Sequence, residues 1–489
     1  MRRENRTHQE NVVPIRLLSH MSIALLAVYV VAVILFYFLA GEQLHLRQSR
    51  DNMSLPMADS GTVELSAGNV VEQHFITEIQ CLEQIDVQWG TYYRPNAGTV
   101  LVELVDQRDG RVVLSQAFDA AAISEGGLTS LEAETPVEGL YHVPLALRIS
   151  SPDCQPGSAV SPLMNTAGEL EDGSLYINGE PVAGVLCFAL CGTDYIWTGL
   201  HYWKFAGIGM ILLLAGLAVV WYRVRQGKRS YVVNALAAVT KYRFLIRLLV
   251  SRDFKTKYKR SILGVLWSFL NPLLTMIVQY FVFSTIFKSD VPNYAVYLLI
   301  GIVSFNFFSE ACGMSLTSIV GNASLITKVY MPKYIYPLTR VMSSVVNLGI
   351  ALIPLLIVTV ATGVHMQKAA VLSICFFLCL IIFSLGLGLL LSASMVFFRD
   401  TQFLWNVLSM IWMYATPIFY PESILPEEFN FILRINPIYH FLKNIRICIL
   451  DGISPEPVVY VQCALIALGA LIIGSLVFRK AQDRFVLYL

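Results

Sequence analysis

The densest concentration of residues able to do chemistry is cationic. Positions 223–260 carry twelve Lys and Arg against a single acid, Asp253. Within this stretch Leu236, Val239, Leu245, Leu248 and Leu249 alternate with Lys241, Arg243 and Arg247, the pattern of a basic amphipathic helix over Ala235–Val250 lying in a membrane interface. A solvated loop on the positive side of a membrane is the plainer alternative. Lys241, Arg243, Arg247 and Arg252 are candidates for attracting a phosphate group, since charge-assisted hydrogen bonds from clustered cations favour it. Nucleic acid is not needed to explain the run, because anionic headgroups beside an apolar span do so. The sequence holds no nucleophile elbow, no His-Glu-x-x-His, no paired zinc knuckles and no nucleotide-sugar fingerprint, so no catalytic residue is assigned.

The elements around this cluster are apolar. Of 489 residues 56% are hydrophobic and 14% charged, with a mean hydropathy of +0.61, against roughly 25% charged in ordinary soluble chains. That excludes a soluble protein, and the composition also excludes disorder and collagen. A bilayer core about 30 Å thick needs roughly 20 apolar helical residues. Met21–Ala40, Phe205–Tyr222, Ser261–Phe287, Val291–Ser309 (extending past Glu310), Val341–Gln367, Ala369–Phe398, Thr401–Pro421 and Val458–Phe478 qualify, which predicts eight spans. The first is longer than a signal-peptide core of ~7–15 residues and reads as an uncleaved anchor.

Lys and Arg set the orientation. Both termini are expected in the cytoplasm, with the basic 223–260 segment, and residues 41–200 outside. This outer segment holds 22 of the 34 Asp and Glu, six Arg and no Lys. Short strand-like runs at Val100–Val105, Arg111–Ser115, Leu145–Ile149, Ser174–Ile177 and Pro181–Phe188, with Asn178-Gly179 as a hairpin signal, predict an inserted extracytoplasmic β-sandwich. Its Cys81, Cys154, Cys187 and Cys191 are candidates for disulfides or buried thiols, with three possible connectivities. His45, His74 and His142 lack the spacing of a metal site, so none is assigned. Trp89, Tyr92 and Tyr93 are candidate glycan contacts or, alternatively, core aromatics.

In the later spans Trp267, Tyr280, Phe281, Phe305, Phe308, Trp412 and Tyr414 are candidate channel-lining aromatics, with lipid-facing belts as the competing reading. Glu310 inside an apolar span is expected to face the bundle interior, a neighbouring subunit or the headgroups. Arg399-Asp400 marks a short turn, and Pro417, Pro421 and Pro426 break the chain before an amphipathic Phe431–Leu450.

Three motifs resemble one family. The run from Ser251-Arg252-Asp253-Phe254 through Tyr258-Lys259-Arg260 to Trp267-Ser268-Phe269-Leu270-Asn271-Pro272-Leu273, the loop Asn322-Ala323-Ser324-Leu325-Ile326-Thr327-Lys328-Val329-Tyr330-Met331-Pro332-Lys333, and the ending from Phe478-Arg479-Lys480 to Leu489 are similar to the membrane subunit of bacterial ABC exporters of polysaccharide and polyol phosphate, the ABC-2 type that includes O-antigen and teichoic acid exporters. The likeness covers about residues 230–489 and leaves the 41–200 insertion without a counterpart. It implies a homodimeric permease with two copies of a separate ATPase subunit, which binds ATP and Mg. The cargo would be a lipid-linked glycan, O-antigen-like, or a teichoic-type polymer. Accordingly this chain lacks the phosphate-cradling loop: Gly227-Lys228-Arg229-Ser230 has Tyr222 where the first glycine belongs. Asn322, Ser324, Lys328 and Lys333 are then candidate contacts to the ATPase.

The sequence therefore predicts an all-α polytopic membrane protein with an inserted β-sandwich. Residues 1–40 form a cytoplasmic tail and first span, 41–200 the outer domain, 201–260 the second span and basic helix, and 261–489 a six-helix permease core. The expected function is the channel-forming subunit of a polysaccharide exporter in the bacterial plasma membrane. A lipid or drug permease is the alternative, and a membrane-anchored glycan receptor the contrasting class.

Overall fold

The computed structural model describes residues 15–489 except 56, 171, 227–236, 238, 260, 287–291, 329–330 and 489. The Gly227–Ser230 fragment, Leu236, Arg260, and the Val329-Tyr330 step of the loop motif lie outside the described residues, as do the cations of the N-terminal tail before Arg16. His45–Leu200 forms one compact unit, and the chain up to Leu44 and from His201 onward forms the other.

The inserted unit is antiparallel β. One sheet runs β1 (Leu46–Met53), β13 (Phe188–Tyr195), β4 (Cys81–Gly90), β9 (Ser161–Asn165), β12 (Val185–Leu186), with β2 (Ser60–Gly61) on β9 and β7 (Leu128–Glu138) on β4. The second runs β11 (Glu180–Val182), β10 (Ser174–Ile177), β3 (Val70–Ile76), β8 (Pro144–Ser150), β5 (Thr99–Asp106), β6 (Arg111–Asp119). Alternate residues of facing strands, Val71 and Phe75, Val100 and Val102, Leu145 and Leu147, meet Ile85, Leu131, Phe188 and Leu190 in one core, the arrangement expected when each strand buries one face. Asn178 and Gly179 both take positive φ, 52° and 82°, and close the β10–β11 hairpin as a two-residue turn of this kind requires. The predicted Pro181–Phe188 strand is instead broken into β11, β12 and the start of β13. Pro181 cannot donate to a ladder, and Gly184 turns the chain at φ 123°. All four cysteines of this unit are free thiols.

The other unit is helical: α1 (Ile15–Ala40), α2 (Tyr202–Arg225), α3 (Arg243–Lys257), α4 (Leu266–Ile286), α5 (Tyr294–Leu316), α6 (Ala323–Lys328), α7 (Ile335–Ala361), α8 (Ser373–Phe397), α9 (Thr401–Ala415), α10 (Pro437–Arg446) and α11 (Pro457–Ala481). Among the described residues seven helices are long and apolar enough to cross a bilayer. The eighth predicted span, Thr401–Pro421, contains only the 15-residue α9, about 22 Å at 1.5 Å per residue. Thr416–Tyr420 follows as non-helical chain.

α5 sits at the centre, with Val296, Leu298, Leu299, Ile300, Phe308, Ala311 and Cys312 fully enclosed. α8 and α11 approach so closely that a Cβ on Gly474 would lie 1.9 Å from the Gly386 carbonyl oxygen, a small-residue crossing of the type that lets membrane helices pack backbone to backbone. α1 docks on this bundle: Phe36 meets Tyr460 edge to face at 4.8 Å, and Gln43 bonds both the Gly452 carbonyl (3.3 Å) and the Ser454 amide (2.8 Å). α2 joins α1 through Tyr29 donating to the Ala206 carbonyl (2.7 Å) and Trp221 donating to Ser22 (3.2 Å).

Candidate functional site

A cavity of about 300 Å³ opens between the end of α3 and the helices α4, α5 and α7. Helical periodicity builds its walls. Val303, Asn306, Phe307 and Glu310 share one face of α5, Ser344, Asn347, Leu348 and Ala351 one face of α7, and Trp267, Ser268 and Asn271 one face of α4, because residues three, four and seven apart stack along a helix. The lining is unusually polar for a membrane bundle, where an ionisable or amide side chain is costly unless it serves a site.

At one side of the cavity the polar groups satisfy each other. Glu310 Oε1 accepts from Lys257 Nζ (2.8 Å) and from Asn347 Nδ2 (2.6 Å). Tyr258 donates to Asn347 Oδ1 (3.3 Å) and shares a hydrogen bond with Ser268. The Glu310–Lys257 pair leaves both side chains partly exposed, at 27% and 42%, so the ion pair borders the cavity and is not sealed in the core. Of the three surroundings expected for Glu310, bundle interior, neighbouring subunit or headgroups, the described residues show a recess between helices. Asn271 and Asn306 are different. Both are exposed on mostly apolar helices, and among the described residues neither amide has a hydrogen-bonding partner.

The basic helix α3 buries Ile246, Leu249 and Asp253, one stripe at i, i+3, i+7, against Ile335 and Tyr336 of α7. Lys241, Arg243, Arg247 and Arg252 are all exposed. Arg243 and Arg247 are one turn apart, whereas Arg252 lies five residues on, about 140° further round at ~100° per residue. Arg252 also bonds its neighbour Asp253 (3.2 Å), which Arg340 contacts from α7 at 3.0 Å. The structure thus groups two of the four candidate cations on one face and commits Arg252 to a buried carboxylate.

Other expectations need correction. Trp89 is fully buried and donates Nε1–H to Thr129, so it is a core residue of the β unit. Tyr92 and Tyr93 project outward, Tyr93 at 90% exposure. Both hold positive φ, 56° and 54°, and the Glu125 carboxylate fixes this turn by accepting from the Thr91 amide (2.6 Å) and hydroxyl (2.7 Å) and the Tyr93 amide (3.3 Å). Those bonds hold the Glu125 carboxyl below its usual range, the Thr91 hydroxyl first among the causes. Phe305 and Phe308 are buried, Phe308 against Trp412 (5.2 Å), Trp405 (5.9 Å) and Phe383 (6.1 Å). They are bundle core and cannot line a channel wall within this subunit. Trp412 is partly buried, its indole donating to Asn436 (2.8 Å), while Trp267, Tyr280, Phe281 and Tyr414 remain on the surface.

Of the candidate coupling residues, Asn322 is buried and bonds back to the Ser318 carbonyl (2.7 Å). Lys333 is tied to the Gln482 carbonyl (2.6 Å) and packs over Phe485. Asn322 is thus turned inward, whereas Lys333 remains half-buried. Ser324 is exposed, and the backbone of Lys328 closes α6.

One functional feature has no counterpart in the sequence reading. Arg446, at the end of α10, is buried, with Nη1 donating to the Pro417 carbonyl (2.6 Å) and Nη2 to those of Ile418 (3.1 Å) and Tyr297 (3.2 Å). Tyr297 donates to the Tyr420 carbonyl (2.8 Å), and Tyr294 to that of Phe419 (2.5 Å). Four successive carbonyls of the non-helical stretch after α9 are thereby satisfied by three side chains. The available signal was the Pro417 and Pro421 pair, which forbids a helix there and so demands buried partners for the freed carbonyls.

Residues 245–450 match the family model described as ABC-2 type transporter. The O-antigen export system permease protein RfbA of Klebsiella pneumoniae is 30% identical over 244 residues, 49% of this chain and 93% of that protein. RfbA of Myxococcus xanthus is 28% identical over 255 residues, 52% and 98% of the two chains. The polysialic acid transport protein KpsM of Escherichia coli is 24% identical over 246 residues, 49% and 93%.

Proposed function

The chain belongs to the ABC-2 type transporter family, and from that premise we propose that it exports a lipid-linked cell-surface polysaccharide across a bacterial plasma membrane as one half of a permease dimer. It is a permease subunit of a polysaccharide exporter and not an enzyme; ATP hydrolysis belongs to a separate subunit. The observation that carries the cargo assignment is coverage: permeases named for O-antigen and polysialic acid align over 93% or more of their own length, and the family match at residues 245–450 takes in the helices that frame the polar cavity.

In this reading α3 lies along the cytoplasmic face, with Arg243 and Arg247 nearest each other and able to hold the phosphate of the lipid carrier. Lys241 and Arg252 flank them. The exposed part of the α5–α7 connection, Ser324 included, meets the ATPase that binds ATP and Mg. Asn322 and Lys333 shape this connection from within. Tyr92 and Tyr93 offer ring faces to a glycan outside the membrane. The acidic β unit would repel a polyanion within about 8 Å at physiological salt, which favours a neutral or weakly charged polymer. Removal of the gene should abolish surface polysaccharide and leave lipid-linked polymer inside the cell, with restoration by the intact chain. Unchanged surface polysaccharide, with loss of a lipid or drug efflux activity instead, would reject the reading.

A further inference from the structure

Resting on the polysaccharide reading, we propose that the cavity between α4, α5 and α7 is a sugar-ring site, in which Asn271, Asn306 and Glu310 hold a neutral pyranose unit of the passing polymer against Trp267. The two asparagines start the argument. Each is exposed on a mostly apolar helix, borders the same cavity, and has no hydrogen-bonding partner among the described residues. An amide both donates and accepts, so the surface they share suits a ligand that does the same.

The electrostatics choose among ligands. A phosphate would find Lys257, but that ammonium already lies 2.8 Å from the Glu310 carboxylate, whose negative charge repels anions. An acyl chain would offer no hydrogen bond to either amide. A sugar ring suits each group: its hydroxyls donate to Glu310, exchange hydrogen bonds with the Asn271 and Asn306 amides, and its C–H face can lie on the Trp267 indole, which is 45% exposed at the cavity wall. A volume of about 300 Å³ sits at the small end of ligand pockets (~300–1,000 Å³), room for a ring and not for a folded chain. The site therefore differs from the cationic α3, which would take the charged end of the same molecule.

The test is photocrosslinking in living cells carrying the complete exporter. Benzoylphenylalanine is placed at Asn271, at Asn306 and, as a control, at Val278, which is exposed on the same helix as Asn271 and lies outside the cavity. After irradiation the chain is stained for periodate-oxidisable sugar. The expected result is a sugar adduct at 271 and 306 and none at 278. Phospholipid adducts at all three positions, or a species of twice the chain's mass from 271 and 306, would overturn the proposal in favour of a lipid-facing or subunit-facing surface. Loss of surface polysaccharide on gene removal together with no sugar adduct at 271 or 306 would sink the site alone; unchanged surface polysaccharide on removal would sink the export reading beneath it. Asn271→Leu with Asn306→Leu should lower export about tenfold at unchanged membrane abundance, the loss expected for hydrogen bonds that a site is built to make. Asn306→Ser should retain part of it, and full export by the double leucine variant would also overturn the proposal.

Discussion

Two polar insertions interrupt the apolar helical unit, and they are closed in opposite senses. Around Arg446 the guanidinium's two terminal nitrogens and two tyrosine hydroxyls meet the carbonyls of residues 417–420 inside the bundle, so most of the polar atoms are paired within the fold, Arg446 Nε excepted. Around Glu310 the ion pair and Asn347 are paired, yet Asn271 and Asn306 border the cavity with no hydrogen-bonding partner among the described residues. A satisfied network specifies structure, whereas open donors and acceptors at a membrane cavity are available to cargo. Mutations at the two places should therefore separate abundance from transport.

The largest effect is expected at the closed network. Arg446→Ala leaves several buried carbonyls unpaired, and each buried polar group left unsatisfied costs about 1–3 kcal/mol. Membrane-inserted, protease-resistant protein should fall severely, measured by immunoblot of washed membranes. Normal abundance would erase the distinction between the two regions. Next, Glu310→Gln keeps the Asn347 contact and removes the charge opposite Lys257. Export should fall severalfold with abundance nearly intact, since one ion pair at partial exposure contributes about 1 kcal/mol or less to folding.

A smaller change belongs to α3. Arg243→Gln with Arg247→Gln removes two exposed cations worth about 1 kcal/mol each near an anionic surface, and export should drop more than abundance. Equal loss of both would assign the charges to insertion. Arg252→Gln should instead lower abundance, because its partner is the buried Asp253.

The β unit sharpens the comparison through pH. The carboxyls of Glu64, Asp106 and Glu125 are held below their usual values, chiefly by the Gly157 amide, the Arg108 guanidinium and the Thr91 hydroxyl respectively. A carboxyl depressed in the folded state contributes stability above its unfolded pKa of ~4 and loses it as pH falls through the folded value. Residues 45–200 of the full chain should thus become protease-sensitive below about pH 4 and not between pH 6 and 8. The smallest effect concerns Tyr93. Tyr93→Gly should raise the melting temperature of this unit slightly, because a non-glycine residue at positive φ costs ~1–2 kcal/mol, while any glycan retention by the unit should weaken.

The helices and the β strands were legible because their periods are strong. Val100–Val105 and Leu145–Ile149 became β5 and β8, and Asn178-Gly179 turned as its residue types require. The apolar runs located the long helices, but length alone made Thr401–Pro421 a span, since hydropathy does not register that Pro417 ends the helix early. Side-chain direction was the weaker inference. Trp89, Phe305 and Phe308 are as aromatic as Tyr93 and Trp267, and type alone does not say which of them a tertiary core will enclose. Asn322 and Lys333 looked like contacts because their motif is polar. Their partners, the Ser318 and Gln482 carbonyls, exist only once the chain has folded. The sequence does carry a signal for the cavity: Asn306 with Glu310, and Ser344 with Asn347, each place polar groups on one face of a mostly apolar span.

ATP-driven movement of radiolabelled lipid-linked polymer into inverted membrane vesicles, containing this permease and its ATPase, tests the central claim most directly. The intact chain should move polymer in proportion to ATP hydrolysed, and the Asn271→Leu, Asn306→Leu variant at equal abundance should move about a tenth as much. Equal movement by both, or ATP hydrolysis by the intact complex without any polymer transfer, would contradict it.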